Sequence, residues 1–205
     1  HEKVAEKLKN VADEYYINAD AIVGNHLELC GSFEAIDYLI KAAIRSKNHY
    51  ANNEAIAYFS RAQKLLEKYG QNQPHAIDIA LGLSEVLNQI GEADLAKNQL
   101  HHVLEQINSS VLPNYRIGDV YYQLGLNLYD LGEIDASRRN FENALVVLEK
   151  HQKECRLFSK TDIEREIGWI YWQKGEIDDS ITHAKKALSL AQENSNTIAE
   201  GSARK

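Results

Sequence analysis

The chain has 205 residues, enough to bury a full core as one or two domains. Hydrophobic residues are 44% and charged residues 26% of it, and the net charge of −7 argues against a nucleic-acid partner, because phosphate backbones demand clustered Lys and Arg. No apolar run approaches the roughly 20 residues that span a bilayer, so no membrane partner is expected and a cytoplasmic location is. The chain begins at His1 and contains no Met, and it reads as a piece of something longer.

Apolar periodicity and glycine spacing predict ten helices and no strand: 2–14, 18–30, 33–48, 52–69, 74–90, 92–108, 114–131, 133–150, 160–174 and 176–194. Most of them fall into a repeated sentence. "VGNHLELCGSFEAIDYLIKAA" runs from Val23 to Ala43, and a half copy, "NNEAIAYFSRAQKLL", from Asn52 to Leu66. "LSEVLNQIGEADLAKNQLHHVL" begins at Leu83, "LGLNLYDLGEIDASRRNFENAL" 41 residues later at Leu124, and "IGWIYWQKGEIDDSITHAKKAL" 43 residues after that at Ile167. Each copy reads as a helix pair. In the Leu124 copy, Leu124, Leu128 and Leu131 make one helical face, and Gly132 ends the helix by accepting positive φ. Glu133 and Asp135 then suit the start of the next helix, where the dipole favours acids. Phe141, Ala144, Leu145 and Leu148 give that helix its apolar stripe.

A second glycine recurs inside the first helix of three copies, at Gly24, Gly125 and Gly168. A mid-helix glycine costs about 1 kcal/mol against Ala. Its return at one place is therefore read as close approach of a neighbouring helix. Pro74 and Pro113 suit first helical turns, and "TDIE" at Thr161–Glu164 has capping-box spacing. One helix pair cannot bury its stripe alone, whereas stacked pairs bury a continuous one. The expectation is an all-α, right-handed α-solenoid of stacked antiparallel pairs. Residues 1–70 would form the N-terminal helices and first repeats, and 71–205 three longer repeats continuous with them.

No enzyme motif is present. The glycines fall at repeat positions and not in a phosphate-binding GxxxxGK loop. "HEKVA" lacks the second His of a zinc-protease helix. His101 and His102 point about 100° apart on a helix and chelate poorly, even with Glu105 nearby. Asp178 and Asp179 suit a helix start. Cys155 has Lys153 and Arg156 beside it but no matching base, and Cys30 and Cys155 are read as free thiols. No catalytic residue, metal or cofactor is expected.

The pattern resembles the tetratricopeptide repeat. It reads Tyr121, Leu124-Gly125, Leu128, Gly132, Ser137, Phe141 and Ala144 in one copy. In the last it reads Ile167-Gly168, Tyr171, Gly175, Ser180, Ala184 and Ala187. The spacing of 41 to 43 residues exceeds the usual period of about 34, Ser replaces a second small residue, and the terminal Pro is missing. The stretch Glu2–Gly70, with "HEKVAEKL", "HLELCGSFEAIDYLIKAAIRS" and "ANNEAIAYFSRAQKLLEKYG", is similar to the region after the ATPase module of bacterial STAND signal-transduction ATPases. Those are joined to nucleotide cyclases, protein kinases or LuxR-type regulators. That resemblance implies a non-catalytic sensor or scaffold arm whose partner is a protein or peptide, including other domains of its own parent chain.

One anomaly stands outside the core pattern. Tyr122, Leu126 and Tyr129 form a second apolar stripe beside Leu124 and Leu128, and the same places in the last copy hold Arg165, Trp169 and Trp172. The Leu83 copy carries Leu81, Glu85 and Asn88 there. The resemblance implies that these positions line a concave groove. A competing reading packs the same rings between helices or beneath a further repeat. Asp119, Asp130, Asp162 and Glu166 are expected as an acidic rim, with Arg165 the nearby base, so the groove would suit a basic-hydrophobic segment. The alternatives are a small-molecule-sensing domain and a peptide-pheromone-responsive regulator of the Rap type.

Overall fold

The computed structural model describes residues 1–9, 18–70, 73–108, 116–151 and 158–203. Among these residues there are ten helices and no strand: α1 Glu2–Lys9, α2 Ala19–Leu29, α3 Ala35–Asn48, α4 Asn52–Tyr69, α5 Gln73–Gln89, α6 Ala93–Asn108, α7 Ile117–Asp130, α8 Ile134–Lys150, α9 Lys160–Gln173 and α10 Ile177–Ala203. The helix ends agree with the sequence pattern to within a few residues, except that α10 runs on to Ala203. The end of the first expected helix, Pro113 and Cys155 lie outside the described residues.

The helices form two compact units, residues 1–109 and 110–205. The expected boundary between residues 70 and 71 falls inside the first unit, between α4 and α5, which pack on each other. In the first unit, Val23, Leu27, Ile36, Leu39, Phe59, Leu65, Val86 and their neighbours form one buried cluster drawn from α1 to α6. In the second, Phe141, Ala144 and Leu148 of α8 meet Ile163, Ile167 and Ile170 of α9, and Tyr121, Tyr122, Leu126 and Tyr129 of α7 pack against them.

Four turns share one construction. The N–H of Glu133 donates to Leu128 O at 2.8 Å while Gly132, at φ 77°, donates to Tyr129 O. Glu176 and Gly175 repeat this on Tyr171 and Trp172, as do the turns at Gly31 and Gly91. This pair of bonds satisfies carbonyls left orphaned at a helix end, and it needs a left-handed residue in the glycine place. The α3–α4 turn is made in the same way, with Ala51 N donating to Ser46 O at 2.9 Å, but Tyr50 occupies the glycine place at φ 58°.

The mid-helix glycines meet neighbours as the close-approach reading requires. A Cβ on Gly125 would lie 2.8 Å from the Phe141 ring, and one on Gly24 3.3 Å from Tyr38 Cβ. Gly168 faces His183 Cβ at 3.3 Å. The tightest approach is at Gly82, where a Cβ would come within 2.2 Å of the Phe59 ring.

Candidate binding groove

The second unit carries the aromatic stripe, and helix phase explains its exposure. On α9, Ile163, Ile167 and Ile170 point into the core and are buried. Trp169 and Trp172, three apart on another face, remain 49% and 53% exposed. Their rings stack with centroids 4.7 Å apart. The Trp169 indole N–H donates to the Tyr129 hydroxyl on α7. Tyr129, Trp169 and Trp172, with Arg165 and Glu166, line a hollow of about 550 Å3 whose floor is Gly168, Ser180, Ala184 and Ala187.

The start of α9 fixes this face. Ser159 is its N-cap: the hydroxyl accepts from Asp162 N–H, and the Asp162 carboxylate accepts from Ser159 N–H at 2.9 Å. The capping box is thus Ser159–Asp162 and not the Thr161–Glu164 pair that the spacing also offers. Glu164 is buried instead and accepts from His183 Nδ1 at 2.6 Å. Partial burial opposes ionisation of Asp162, but the Ser159 hydroxyl and backbone N–H, with Arg165, outweigh it and hold the carboxyl below its ordinary value. Arg165 reaches Asp162 at 3.3 Å and Glu166 at 2.8 Å, and chiefly the bond to Glu166 raises its pKa.

The other expected groove residues separate. Tyr122 is half-buried and stacks on Phe158 at 4.7 Å with its ring tilted against Phe141. Burial, then the Glu166 and Asp162 charges, push its phenol pKa up. Leu126 packs on the core cluster. Asp119 does not belong to the rim: it is fully buried, with Arg116 Nε at 3.5 Å, because it lies between buried Gly118 and Val120 on the inward side of α7's first turn. Asp130 is exposed at the end of α7. Glu85 and Asn88 stand on α5 in the first unit, where Glu85 pairs with Lys47. The acidic rim is therefore smaller than expected, and Arg165 already engages the carboxylates of Asp162 and Glu166.

The floor residues Gly168, Ser180, Ala184 and Ala187 stood out in the sequence only as repeat-pattern positions and not as part of a groove. Their signal was the register itself: Ala184 occupies the place that Phe141 holds 43 residues earlier. Among the described residues no group of three His, Cys, Asp or Glu is arranged to hold a metal. His102 is hydrogen-bonded to Gln106 at 2.7 Å. Cys30 is an exposed free thiol. No described helix is long and apolar enough to cross a membrane.

Residues 166–194, which include Trp169, Trp172 and the floor of the hollow, match the tetratricopeptide repeat family model. Among solved structures, the chain is similar to a MamA protein, with 19% identity over 95% of this chain and 91% of that one, at a TM-score of 0.66. It is similar to the apo form of RapI, with 14% identity over 93% of this chain and 69% of that one, at a TM-score of 0.76. A Rap protein complexed with Competence and Sporulation Factor matches at 20% identity and a TM-score of 0.69, over 86% of this chain and 48% of that one. No match is found among curated proteins. The fold class these likenesses define is the all-α, tetratricopeptide-like helical solenoid.

Proposed function

We propose that this chain is a non-catalytic interaction module that holds a peptide or protein segment against the aromatic face of α9. The observation that carries the reading is the stacked, half-exposed Trp169–Trp172 pair beside a hollow floored by small residues. Folded chains rarely leave adjoining large rings uncovered without use, and aromatic anchors dominate binding energy at interfaces. The bound segment carries large apolar residues with Lys or Arg, since a guanidinium stacks on indole as well as pairing with carboxylate. It competes with Arg165 for Glu166 and Asp162, so binding weakens with salt.

The likeness to a Rap protein complexed with Competence and Sporulation Factor supports ligand binding by this fold and keeps the Rap-type regulator as a second form of the same reading. The N-terminal resemblance over Glu2–Gly70 supports a parent among bacterial STAND-type signalling or transcription-regulating proteins, with the partner segment in another domain or another protein. A hollow of about 550 Å3 also falls in the size range of small-molecule sites, roughly 300–1,000 Å3, and that favours a metabolite-sensing domain as the alternative.

Selection of random displayed peptides on the immobilised chain tests the reading. Enrichment of sequences combining Arg or Lys with Trp, Phe or Leu is expected, lost with Trp172→Ala. Absence of enrichment, with a melting shift on addition of a metabolite collection, supports the alternative.

A further inference from the structure

We infer that a slot between α4 and α6, floored by α5, is a second interaction site of the chain, one that takes an exposed lysine of a partner protein with its ammonium on Glu67. The slot belongs to the first unit, whereas the aromatic face of α9 belongs to the second. The inference goes beyond the reading of that face and does not rest on it.

The warrant is one groove compared in two copies. By the steps of 41 and 43 residues between repeats, Ala76, Ala80 and Gln99 correspond to Lys160, Glu164 and His183. Glu67 of α4 corresponds to Glu149 of α8, in the register that matches Phe59 with Phe141. In the second unit the groove is bridged twice. Lys160 reaches Glu149 at 3.2 Å, and His183 donates to the buried Glu164 at 2.6 Å. In the first unit the outer partners remain, as Glu67 and Gln99, but both bridging places on α5 hold alanine. The groove there stays open as a slot of about 40 Å3. Its base is apolar and closed, with Leu66, Ile79 and Val103 all buried.

What the slot lacks defines what it takes. Glu67 is exposed and has no ion-pair partner among the described residues, and its neighbour Lys68 is turned over the Tyr69 ring at 5.2 Å instead. The carboxylate stands in the last turn of α4, where the helix dipole also favours a cation. Lys160 supplies that cation in the second unit, and in the first the corresponding place is Ala76. One helical turn, about 5.4 Å, separates Ala80 from Ala76. A lysine stem laid over the two methyl groups runs from the Gln99 side of the slot to Glu67. The slot has room for about three waters. The stem displaces them and leaves the ammonium in solvent, whereas an aromatic or branched side chain exceeds the space. The Gln99 amide has no hydrogen-bond partner among the described residues and donates to the carbonyl of the same lysine.

The probe is the peptide N-acetyl-Ala-Lys-Ala-amide, titrated into the whole chain while the side-chain amide signals of Gln63 and Gln99 are followed by NMR. Saturable shifts of both are expected, half-complete at millimolar peptide. The same peptide with norleucine in place of lysine should bind several-fold more weakly, and so should the lysine peptide to Glu67→Gln. Ala76→Lys supplies the stem from the chain itself, as α9 does, and should abolish the shifts while keeping the helical dichroism of the parent. Absence of saturation, equal affinity for the lysine and norleucine peptides, or binding retained by a folded Ala76→Lys variant overturns the inference. If Ala76→Lys does not fold, Glu67→Gln decides, and indifference to that change overturns the inference as well. Peptide binding that Trp172→Ala removes and Ala76→Lys leaves intact belongs to the aromatic face, so the two readings fail separately. Sedimentation of the chain alone covers the remaining occupant. A monomer is expected, and a dimer that Ala76→Lys dissolves assigns the lysine to a second copy and overturns the partner-protein occupant.

Discussion

The Trp169 indole donates its N–H to the Tyr129 hydroxyl and stacks face to face with Trp172, so the two rings are not equivalent. One is fastened between α7 and α9, while the other is held by the stack. This divides their roles. On the proposed reading, Trp169 serves as the platform, and Trp172 as the ring that a bound segment covers with least disturbance to the fold. Tyr129→Phe removes the acceptor and frees Trp169. Quenching of tryptophan emission by acrylamide should rise in Tyr129→Phe, most clearly in a Trp172→Ala background where Trp169 is the sole reporter. Unchanged quenching there would show that the stacking of α7 and α9 alone holds the ring.

The mid-helix glycines should rank by what a methyl group meets. Gly82→Ala drives a Cβ into the buried Phe59 ring at 2.2 Å, and Gly125→Ala into Phe141 at 2.8 Å. Overpacking of this kind costs about 1–3 kcal/mol, larger at Gly82. Gly168→Ala meets His183 Cβ at 3.3 Å, with Ser180 O and Ala184 N at the ordinary contact distances of 3.5 and 3.6 Å, and the better helix propensity of Ala, worth about 1 kcal/mol, offsets the contact. Urea midpoints should therefore fall in the order Gly82→Ala, Gly125→Ala, Gly168→Ala, with the last close to the parent. Equal losses at the three sites would remove the close-approach account.

Tyr50 holds a left-handed conformation in the turn that the other helix pairs give to glycine, and its side chain is 82% exposed. Left-handed backbone costs an L-residue roughly 1–2 kcal/mol, part of which the greater unfolded freedom of Gly cancels. Tyr50→Gly is expected to stabilise the chain by about 1 kcal/mol, read as a raised thermal midpoint. A lowered midpoint would mean that the phenol makes contacts worth more than the strain.

The capping box at the start of α9 has a pH signature. The fold holds the Asp162 carboxyl below its ordinary value, so its contribution is full above about pH 4 and fades as the pH falls through the folded-state value. Ser159→Ala should cost about 1 kcal/mol at pH 7. Asp162→Asn should also destabilise at pH 7, with its deficit against the parent narrowing as the pH approaches 3. A deficit constant from pH 7 to pH 3 would show that the charge of Asp162 has no part in the cap.

Much of the fold was legible because two periods agree. Leu124, Leu128 and Gly132 set a helix and its stop, and the same pattern returns at Ile167, Tyr171 and Gly175. The α3–α4 turn kept its place in the pattern, but Tyr50 carries none of glycine's signal. The exposure of Trp169 and Trp172 was legible because helix phase alone decides it. Exposure was not legible where burial comes from partners on other segments. Asp119 lies on the inward side of α7 beside Arg116, and Tyr122 finds Phe158, a contact no spacing rule connects. The capping box was misplaced: the sequence reading set it at Thr161–Glu164, whereas Ser159 and Asp162 form it two residues earlier and Glu164 is bonded to His183 instead.

The central claim is that the indole pair is a binding surface and not a core element. Its most direct test compares Trp169→Ala/Trp172→Ala with the parent in two readouts on one preparation: thermal midpoint, and affinity for the peptides that display selection enriches. The account predicts a midpoint within a few degrees of the parent and an affinity loss of about 2 kcal/mol or more, roughly thirtyfold. A double variant that unfolds, or one that keeps the parent's affinity, contradicts it.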